Sequence, residues 1–131
     1  MKKILILCGI LLPLLFSCKN VKQSKEMFKS VDVEEFAKVI SDGKVQRLDV
    51  RTMEEYEEGH IENAILIDVL EDTYETKALE ALDKDRPVAL YCRSGNRSKK
   101  AAEILSANGF EVYELSSGYK GWIASGMPVV Q

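Results

Sequence analysis

The sequence predicts an α/β fold in which a parallel sheet of about five strands is covered by helices on both faces. The first observation behind this prediction is that short apolar runs rich in strand formers alternate with helical patterns over about 100 residues. The second is composition, because 131 residues with 46% hydrophobic and 30% charged side chains fit one globular domain. In such sheets ligands bind beyond the carboxyl ends of the strands, so functional residues are expected there.

Residues 1–17 have the pattern of a secretory signal. A basic start precedes the apolar run 4–16, which is shorter than the roughly 20 residues that a membrane-spanning helix needs. The motif Leu15-Phe16-Ser17-Cys18 resembles the lipobox of bacterial lipoproteins, although Phe16 replaces the small residue commonest at its position. We therefore expect a lipid on Cys18 and an extracytoplasmic protein, periplasmic or at the cell surface, held at a bacterial membrane. The alternative is an ordinary signal peptide with an incidental cysteine.

Residues 18–30 are expected to form a tether between the lipidated cysteine and the globular domain, 31–131. The segment is polar and contains one acidic residue, Glu26, and four lysines: Lys19, Lys22, Lys25 and Lys29. It is either a flexible tether close to anionic lipid headgroups or a simple solvated spacer. A first short strand is expected over residues 27–31.

The charge balance gives no reason to expect nucleic-acid binding. The formal net charge is −3, and no basic run is interleaved with aromatic residues. Loss of Lys2 and Lys3 with the signal would remove two positive charges and leave −5.

The three cysteines have separate expected fates. Cys8 leaves with the signal and Cys18 carries the lipid, so Cys92 remains as a free thiol. No disulfide can then form within the chain. This counts against a dithiol oxidoreductase and against an arsenate-reductase-like mechanism, since each usually needs a resolving cysteine.

The elements of the first half follow from periodicity and stop signals. Asp32 can cap a helix whose apolar residues recur at i, i+3, i+4 and i+7, and Gly43 ends that helix. Residues 45–50 are predicted as a strand, 53–58 as a short acidic helical turn, and 64–67 as a second strand after the turn at 59–61. Residues 71–82 are predicted as a helix with irregular apolar spacing.

The second half is organised around a reactive loop. Arg86-Pro87 breaks the chain before a strand at 88–91, and the polar segment 92–98, the Cys92 loop, follows that strand directly. A helix is predicted from Ser98 to Asn108-Gly109, then a strand over 110–115 and a final short helix around Trp122.

Cys92 is the candidate nucleophile. A cysteine between a buried strand and the first turn of a helix lies near unpaired backbone N–H groups and the positive end of the helix dipole. This environment favours the thiolate, which is the reactive form. Arg93 and Arg97 add positive charge and bidentate donors suited to an oxyanion.

Several motifs together resemble a single-domain rhodanese. They occur in the right order from about Ser30 to Val130: Leu48-Asp49-Val50-Arg51, Glu55-Tyr56, Gly59-His60-Ile61 with Ala64, Tyr91-Cys92-Arg93-Ser94-Gly95-Asn96-Arg97-Ser98, Gly118-Tyr119 with Gly121-Trp122, and Gly126-Met127-Pro128-Val129. The resemblance implies a rhodanese-like fold and a sulfurtransferase of the thiosulfate type.

The implied reaction has two steps and needs no cofactor beyond a covalent persulfide. Cys92 takes the outer sulfur of thiosulfate or a related donor, and cyanide or a thiol then removes it. The backbone from Arg93 through Ser98 would cradle the anion, and Gly95 would let the chain turn closely around the sulfur. Ser98 would cap the following helix or donate to the anion. The anion-binding loop is thus Arg93, Ser94, Gly95, Asn96, Arg97 and Ser98.

Two other functions stay open. A related cysteine phosphatase resembles C-x5-R, with arginine at the sixth position after the cysteine, whereas here Ser98 stands there and Arg97 is at the fifth. The shorter spacing suits one sulfur atom better than a phosphate. Rhodanese-like folds also serve as binding modules or as relays that pass the persulfide to a protein partner.

Supporting roles are expected near the Cys92 loop. Asp49 and Arg51, two apart at a strand end, are expected to contact either the loop and substrate or each other as a buried structural pair. His60 has no ligand cluster around it, so no metal site is expected, and a structural turn role is favoured over a general base. Tyr119 and Trp122 are expected to pack the core or shape the pocket rim.

Overall fold

The computed structural model describes residues 27–131, and its sheet confirms the predicted fold class. Five strands lie in the order β1-β5-β4-β2-β3, and every adjacent pair is parallel. The strands are β1 (Lys29–Val31), β2 (Gln46–Asp49), β3 (Ile65–Leu66), β4 (Val88–Tyr91) and β5 (Val112–Leu115). Within these residues four helices connect the strands, and a fifth follows β5: α1 (Val33–Ile40), α2 (Met53–Glu58), α3 (Tyr74–Ala81), α4 (Asn96–Ala107) and α5 (Gly118–Ala124).

Helices cover both faces of the sheet, as predicted. On one face Phe36 of α1 and Trp122 of α5 pack against Tyr91 and Leu115. On the other face the buried side chains of α3 and α4 pack against Leu48, Val88, Leu90 and Val112. The central strand β4 is buried on both faces, which explains its continuous apolar sequence.

Local sequence signals position the first two helices. Asp32 accepts a hydrogen bond from the backbone N–H of Glu35 at 2.9 Å and so caps α1, as expected. Thr52 and Glu55 form a reciprocal capping box at the start of α2. This cap fixes the chain immediately after Arg51, beside the carboxyl end of β2.

Several predicted boundaries were too wide. The strand expected over 45–50 is limited to Gln46–Asp49, the strand expected over 64–67 to Ile65–Leu66, and the helix expected over 71–82 to Tyr74–Ala81. Beyond the two strands, Val50, Ala64 and Ile67 are apolar and buried although they lie in connections. Residues 71–73, before the helix, are polar and exposed. Apolar composition therefore overstated strand length.

The first strand lies within the segment 27–31 that was expected to form it. Lys29 and Ser30 pair with β5 as part of β1. The expected signal, Cys18 and most of the tether lie outside the described residues. No helix within residues 27–131 is long and apolar enough to cross a membrane.

The topology creates a crevice at the carboxyl ends of β2 and β4. These two strands are neighbours, with Asp49 in register with Tyr91, but the chain leaves them toward opposite edges of the sheet. Crevices of this kind are the usual ligand sites of open α/β sheets. The Cys92 loop follows β4 directly into this crevice.

Candidate active site

Cys92 lies at the end of the central strand and is 1% exposed. Its Sγ accepts a hydrogen bond from the backbone N–H of Gly95 at 3.1 Å and contacts the Ser98 hydroxyl at 3.4 Å. It is the free cysteine of the described part of the chain. A buried sulfur held by backbone donors is the arrangement that the sequence predicted for a reactive thiolate.

The hydrogen bonds around the sulfur act against the effect of its burial. Burial alone would raise the pKa of Cys92, because it disfavours the charged form. Hydrogen bonds from the backbone N–H groups of Ser98, Gly95 and Ser94 act against burial, and the pKa of the thiol is lowered. The loop therefore favours the thiolate over an ordinary cysteine.

Gly95 makes the tight turn of the Cys92 loop possible. Its φ of 101° is in the left-handed region, and a Cβ there would collide with the carbonyl oxygen of Ser116. The loop is braced from the same side, since the N–H groups of Tyr119 and Lys120 donate to the carbonyls of Cys92 and Arg93 at 2.8 and 3.0 Å. The connection between β5 and α5 thus holds the loop in place.

The helix after the loop starts earlier than predicted. α4 begins at Asn96 with Gly95 as its N-cap, whereas the sequence pattern suggested a start at Ser98. Ser98 is consequently inside the first turn and does not cap the helix, so that expectation was wrong. Its buried hydroxyl instead donates to Glu114 of β5 at 2.7 Å.

The two arginines of the loop have different environments. Arg97 donates two hydrogen bonds to the Glu55 carboxylate, at 2.7 and 2.9 Å. The hydrogen bonds from Arg97 lower the pKa of Glu55 to about 2. Arg93 is exposed, and its side chain makes no hydrogen bond or ion pair within residues 27–131. Arg93 is therefore the arginine whose guanidinium remains available to an anion, while Arg97 ties α4 to α2.

A cleft of about 400 Å³ opens beside the Cys92 loop. Arg93 and Lys120 contribute positive charge to its lining, and Tyr119 and Ile123 contribute apolar surface. Arg51, Glu55 and Glu58 lie on its other side, toward α2. A small anion and an apolar substituent could both be accommodated in such a cleft.

Asp49 and Arg51 form a buried pair, the structural alternative that the sequence left open. Arg51 donates to both carboxylate oxygens of Asp49, at 2.7 to 3.1 Å, and to the carbonyl of Gly59 at 2.6 Å. Asp49 also accepts from the Tyr91 hydroxyl at 2.7 Å. Burial would lower the pKa of Arg51, but the Asp49 hydrogen bonds and charge outweigh it, so the pKa is raised.

The aromatic neighbours join this pair to the Cys92 loop. The guanidinium of Arg51 lies over the ring of Tyr119, 4.1 Å from its centroid, and 5.5 Å from that of Tyr91. Tyr91 immediately precedes Cys92. Burial raises the pKa of Tyr91, so its hydroxyl stays a proton donor to Asp49. Arg51 and Asp49 thus fix Tyr91, which precedes the loop. Arg51 also contacts Tyr119, whose N–H donates to the carbonyl of Cys92.

Glu114 is a site residue that the sequence analysis missed. It is fully buried on β5, and its carboxylate accepts hydrogen bonds from Ser30, from Ser98 and, at 3.3 Å, from Lys99. The available signal was a charged residue within the predicted strand 110–115. The sheet register, which aligns Ser30 with Glu114, became visible only in three dimensions.

His60 and Trp122 make structural contacts. The His60 ring stacks on Tyr56 and its Nδ1 lies 2.9 Å from the Tyr56 carbonyl, while its backbone pairs with Val130. The Trp122 indole N–H donates to the carbonyl of Pro128 at 2.9 Å. Residues 27–131 contain no group of three or more potential metal ligands.

Comparisons with known proteins agree with this architecture. The sequence model of the rhodanese-like domain matches residues 32–125. A thiosulfate sulfurtransferase, GlpE of Coxiella burnetii, is 35% identical over 100 residues, covering 75% of this chain and 90% of the relative.

Solved structures show the same fold. A rhodanese-related protein from Thermoplasma volcanium has a TM-score of 0.69 and 32% identity, covering 79% of this chain and 98% of that one. A rhodanese-like domain from Anabaena has a TM-score of 0.69 and 27% identity, covering 77% of each chain. Sequence and structure together therefore support a sulfurtransferase activity in general terms, and the chain belongs to the rhodanese-like family.

Proposed function

We propose that this protein is a sulfurtransferase that carries sulfane sulfur as a persulfide on Cys92. The observation that carries the proposal is the convergence of the Gly95, Ser94 and Ser98 N–H groups on one buried sulfur. Such donors stabilise negative charge both on the thiolate and on a persulfide formed from it. The similarity to GlpE supports thiosulfate as the donor.

In the first step the Cys92 thiolate attacks the outer sulfur of thiosulfate. A new S–S bond forms to Cys92, the S–S bond of thiosulfate breaks, and sulfite leaves with the electron pair. The terminal sulfur of the persulfide keeps the negative charge. Arg93 and Lys120 in the cleft would attract the anionic donor toward the loop.

In the second step an acceptor nucleophile attacks the terminal sulfur. Cyanide would leave as thiocyanate, and a thiolate would leave as a new persulfide. The bond between Sγ of Cys92 and the terminal sulfur breaks, and its electron pair stays on Sγ, which restores the Cys92 thiolate. The active site is then restored with no net oxidation of the protein.

Intact mass of the purified full chain tests the proposal. Treatment with thiosulfate should add about 32 Da, the mass of one sulfur on the nucleophile. Cyanide should reverse the gain, and the Cys92→Ser variant should show none. A wild-type chain that gains no sulfur from thiosulfate or from a persulfide donor would contradict the proposal.

A non-catalytic or relay role in binding a protein partner is the second candidate. The family contains domains without catalytic activity, and the same Cys92→Ser variant separates the two roles. If partner binding survives in the variant while sulfur transfer is lost, the binding role is favoured. A cysteine phosphatase is the least favoured candidate, and turnover of an aryl phosphate without persulfide formation would identify it.

We further propose that a lipid on Cys18 anchors the mature protein at a bacterial membrane, outside the cytoplasm. The support is the sequence pattern of residues 1–18 alone. Membrane fractions of cells producing the wild type and the Cys18→Ala variant, probed together, test the anchor. Release of the variant from the membrane fraction is the expected result, and equal distribution would contradict it.

A further inference from the structure

Glu114 is a buried carboxylate that neither step of the proposed reaction uses. It is 0% exposed on β5, beside the carboxyl end of the central strand. A buried carboxylate needs hydrogen-bond donors, and Ser30, Ser98 and Lys99 supply them. One of these donors, Ser98, is also in contact with the Cys92 sulfur.

The hydroxyl of Ser98 has one proton for two possible acceptors. The distance from its oxygen is 2.7 Å to the Glu114 carboxylate and 3.4 Å to the Cys92 sulfur. A hydrogen bond to a charged oxygen is short and strong, so the proton lies on the bond to Glu114. Ser98 then presents a lone pair to the sulfur, and the Cys92 thiol donates to it.

We infer that Glu114 is a positioning residue that restrains the ionisation of Cys92 by accepting the hydrogen bond of the Ser98 hydroxyl. While the hydroxyl donates to Glu114, a thiolate on Cys92 faces an oxygen lone pair and, beyond it, the negative charge of the carboxylate. Backbone donors of the loop then carry the stabilisation of the thiolate. Without Glu114, the Ser98 hydroxyl is free to turn and donate to the thiolate.

Charged groups on the neighbouring elements moderate this restraint without removing it. On α4, Lys99 donates to both Glu114 and the carbonyl of Gly95. Arg97, which is bound to Glu55, also interacts electrostatically with Cys92. Glu103 of α4 is exposed and lines a surface depression with Ser30. On β1, Lys29 lies over the ring of Tyr113, which belongs to the opposite face of β5.

The restraint acts differently on the free Cys92 thiolate and on the Cys92 persulfide, a consequence that rests on the proposed function. In a persulfide the negative charge moves to the terminal sulfur, about 2 Å beyond Sγ. The charge then lies farther from Glu114 and closer to the outer part of the loop. Glu114 thus disfavours the free thiolate more strongly than the persulfide.

The pH dependence of Cys92 alkylation tests the inference without requiring sulfur transfer. The full chain is treated with neutral iodoacetamide from about pH 5 to about pH 10, and the Cys92 peptide is quantified by mass spectrometry. In Glu114→Gln the titration midpoint should fall, and alkylation below the midpoint should rise about tenfold, because a nearby like charge is removed. A chain inactive in sulfur transfer still gives this readout, so failure of either proposal is recognisable.

Two further variants make the test specific. Glu103→Gln removes the same charge from an exposed site on α4 and should leave the midpoint unchanged. Glu114→Asp keeps a buried carboxylate for folding but shortens its reach to Ser98, so its midpoint should fall less than that of Glu114→Gln. Wild-type midpoints in folded Glu114 variants, or an equal fall in Glu103→Gln, would overturn the inference.

Discussion

The ends of β2 and β4 lie side by side, yet they are constructed in opposite ways. At the end of β2, Arg51 and Asp49 direct their hydrogen bonds to each other and to groups fixed nearby, and both side chains are almost completely buried. At the end of β4, backbone N–H groups converge on a single sulfur, and the neighbouring Arg93 side chain is exposed, with no hydrogen bond to the part of the chain that the structure describes.

This contrast separates a structural pair, Asp49 and Arg51, from a reactive site at Cys92. A saturated buried ion pair has little capacity left for a ligand, but it fixes the backbone around it. Tyr91 connects the pair to the reactive loop, because its hydroxyl donates to Asp49 and the next residue is Cys92. The polar pair of β2 therefore supports the chemistry of β4 without joining it.

The largest effect on stability is expected from disrupting the Asp49–Arg51 pair. Arg51→Met leaves Asp49 as an unpaired buried charge, which should cost about 3–5 kcal/mol of unfolding free energy. Denaturant unfolding measures this loss. Lys38→Met, which removes a highly exposed ion pair with Glu34, is the matched control and should cost less than about 1 kcal/mol. Equal losses in both variants would contradict a structural role for the buried pair.

A smaller effect is expected from a change in the Cys92 loop. Gly95→Ala places a Cβ at a left-handed φ of 101° and against the Ser116 carbonyl, so we expect a loss of about 1–3 kcal/mol. Sulfur transfer should fall at least tenfold, since the loop must shift away from Cys92. Gly43→Ala is the control, because a Cβ added there would meet no heavy atom within 4 Å apart from its chain neighbours. Full activity in Gly95→Ala would show that the loop geometry is not required.

The ion pair between Arg97 of α4 and Glu55 of α2 should make a pH-dependent contribution to the stability of the protein. The pKa of Glu55 is held at about 2 by its hydrogen bonds with Arg97, below its usual 4.5. Because the folded value is the lower one, the ion pair stabilises the protein above pH 4.5, and this contribution is lost as pH falls toward 2. Glu55→Gln should therefore cost about 1 kcal/mol at neutral pH.

Stability measured across the acidic range tests this direction. The difference between wild type and Glu55→Gln should narrow as pH decreases through the interval between the two pKa values. Glu71→Gln removes an exposed partner of Lys77 and should produce a smaller difference at neutral pH. A difference that grows on acidification would mean that the sign is wrong.

The smallest effect on stability is expected from Arg93→Ala. The exposed Arg93 side chain makes no hydrogen bond or ion pair with the described residues 27–131, so unfolding free energy should change by less than about 0.5 kcal/mol. The KM for thiosulfate should rise about tenfold, the factor expected for one lost charge-assisted hydrogen bond. Alkylation by neutral iodoacetamide serves as the internal control and should change far less than the KM, because this reagent has no charge for Arg93 to attract. A wild-type KM would exclude Arg93 from donor binding.

Much of this architecture was accessible to sequence reasoning because its signals are local. The apolar run of β4, the Asp32 cap of α1 and the turn at Gly95 each depend on neighbouring residues. The helix start at Asn96 was missed because Gly95 served both as a loop residue and as the N-cap. Strand lengths were overestimated because buried connections carry the same apolar residues as strands.

The sequence by itself determined the parallel α/β fold, the position of Cys92 after a buried strand and the family to which the chain belongs. Only the tertiary structure decided how the polar groups are paired. Arg97 binds Glu55 and leaves Arg93 free, and Glu114 lies behind Ser98, because strands distant in sequence become neighbours in the sheet. Periodicity depends on residues a few positions apart, whereas these contacts join residues 16 and 42 positions apart.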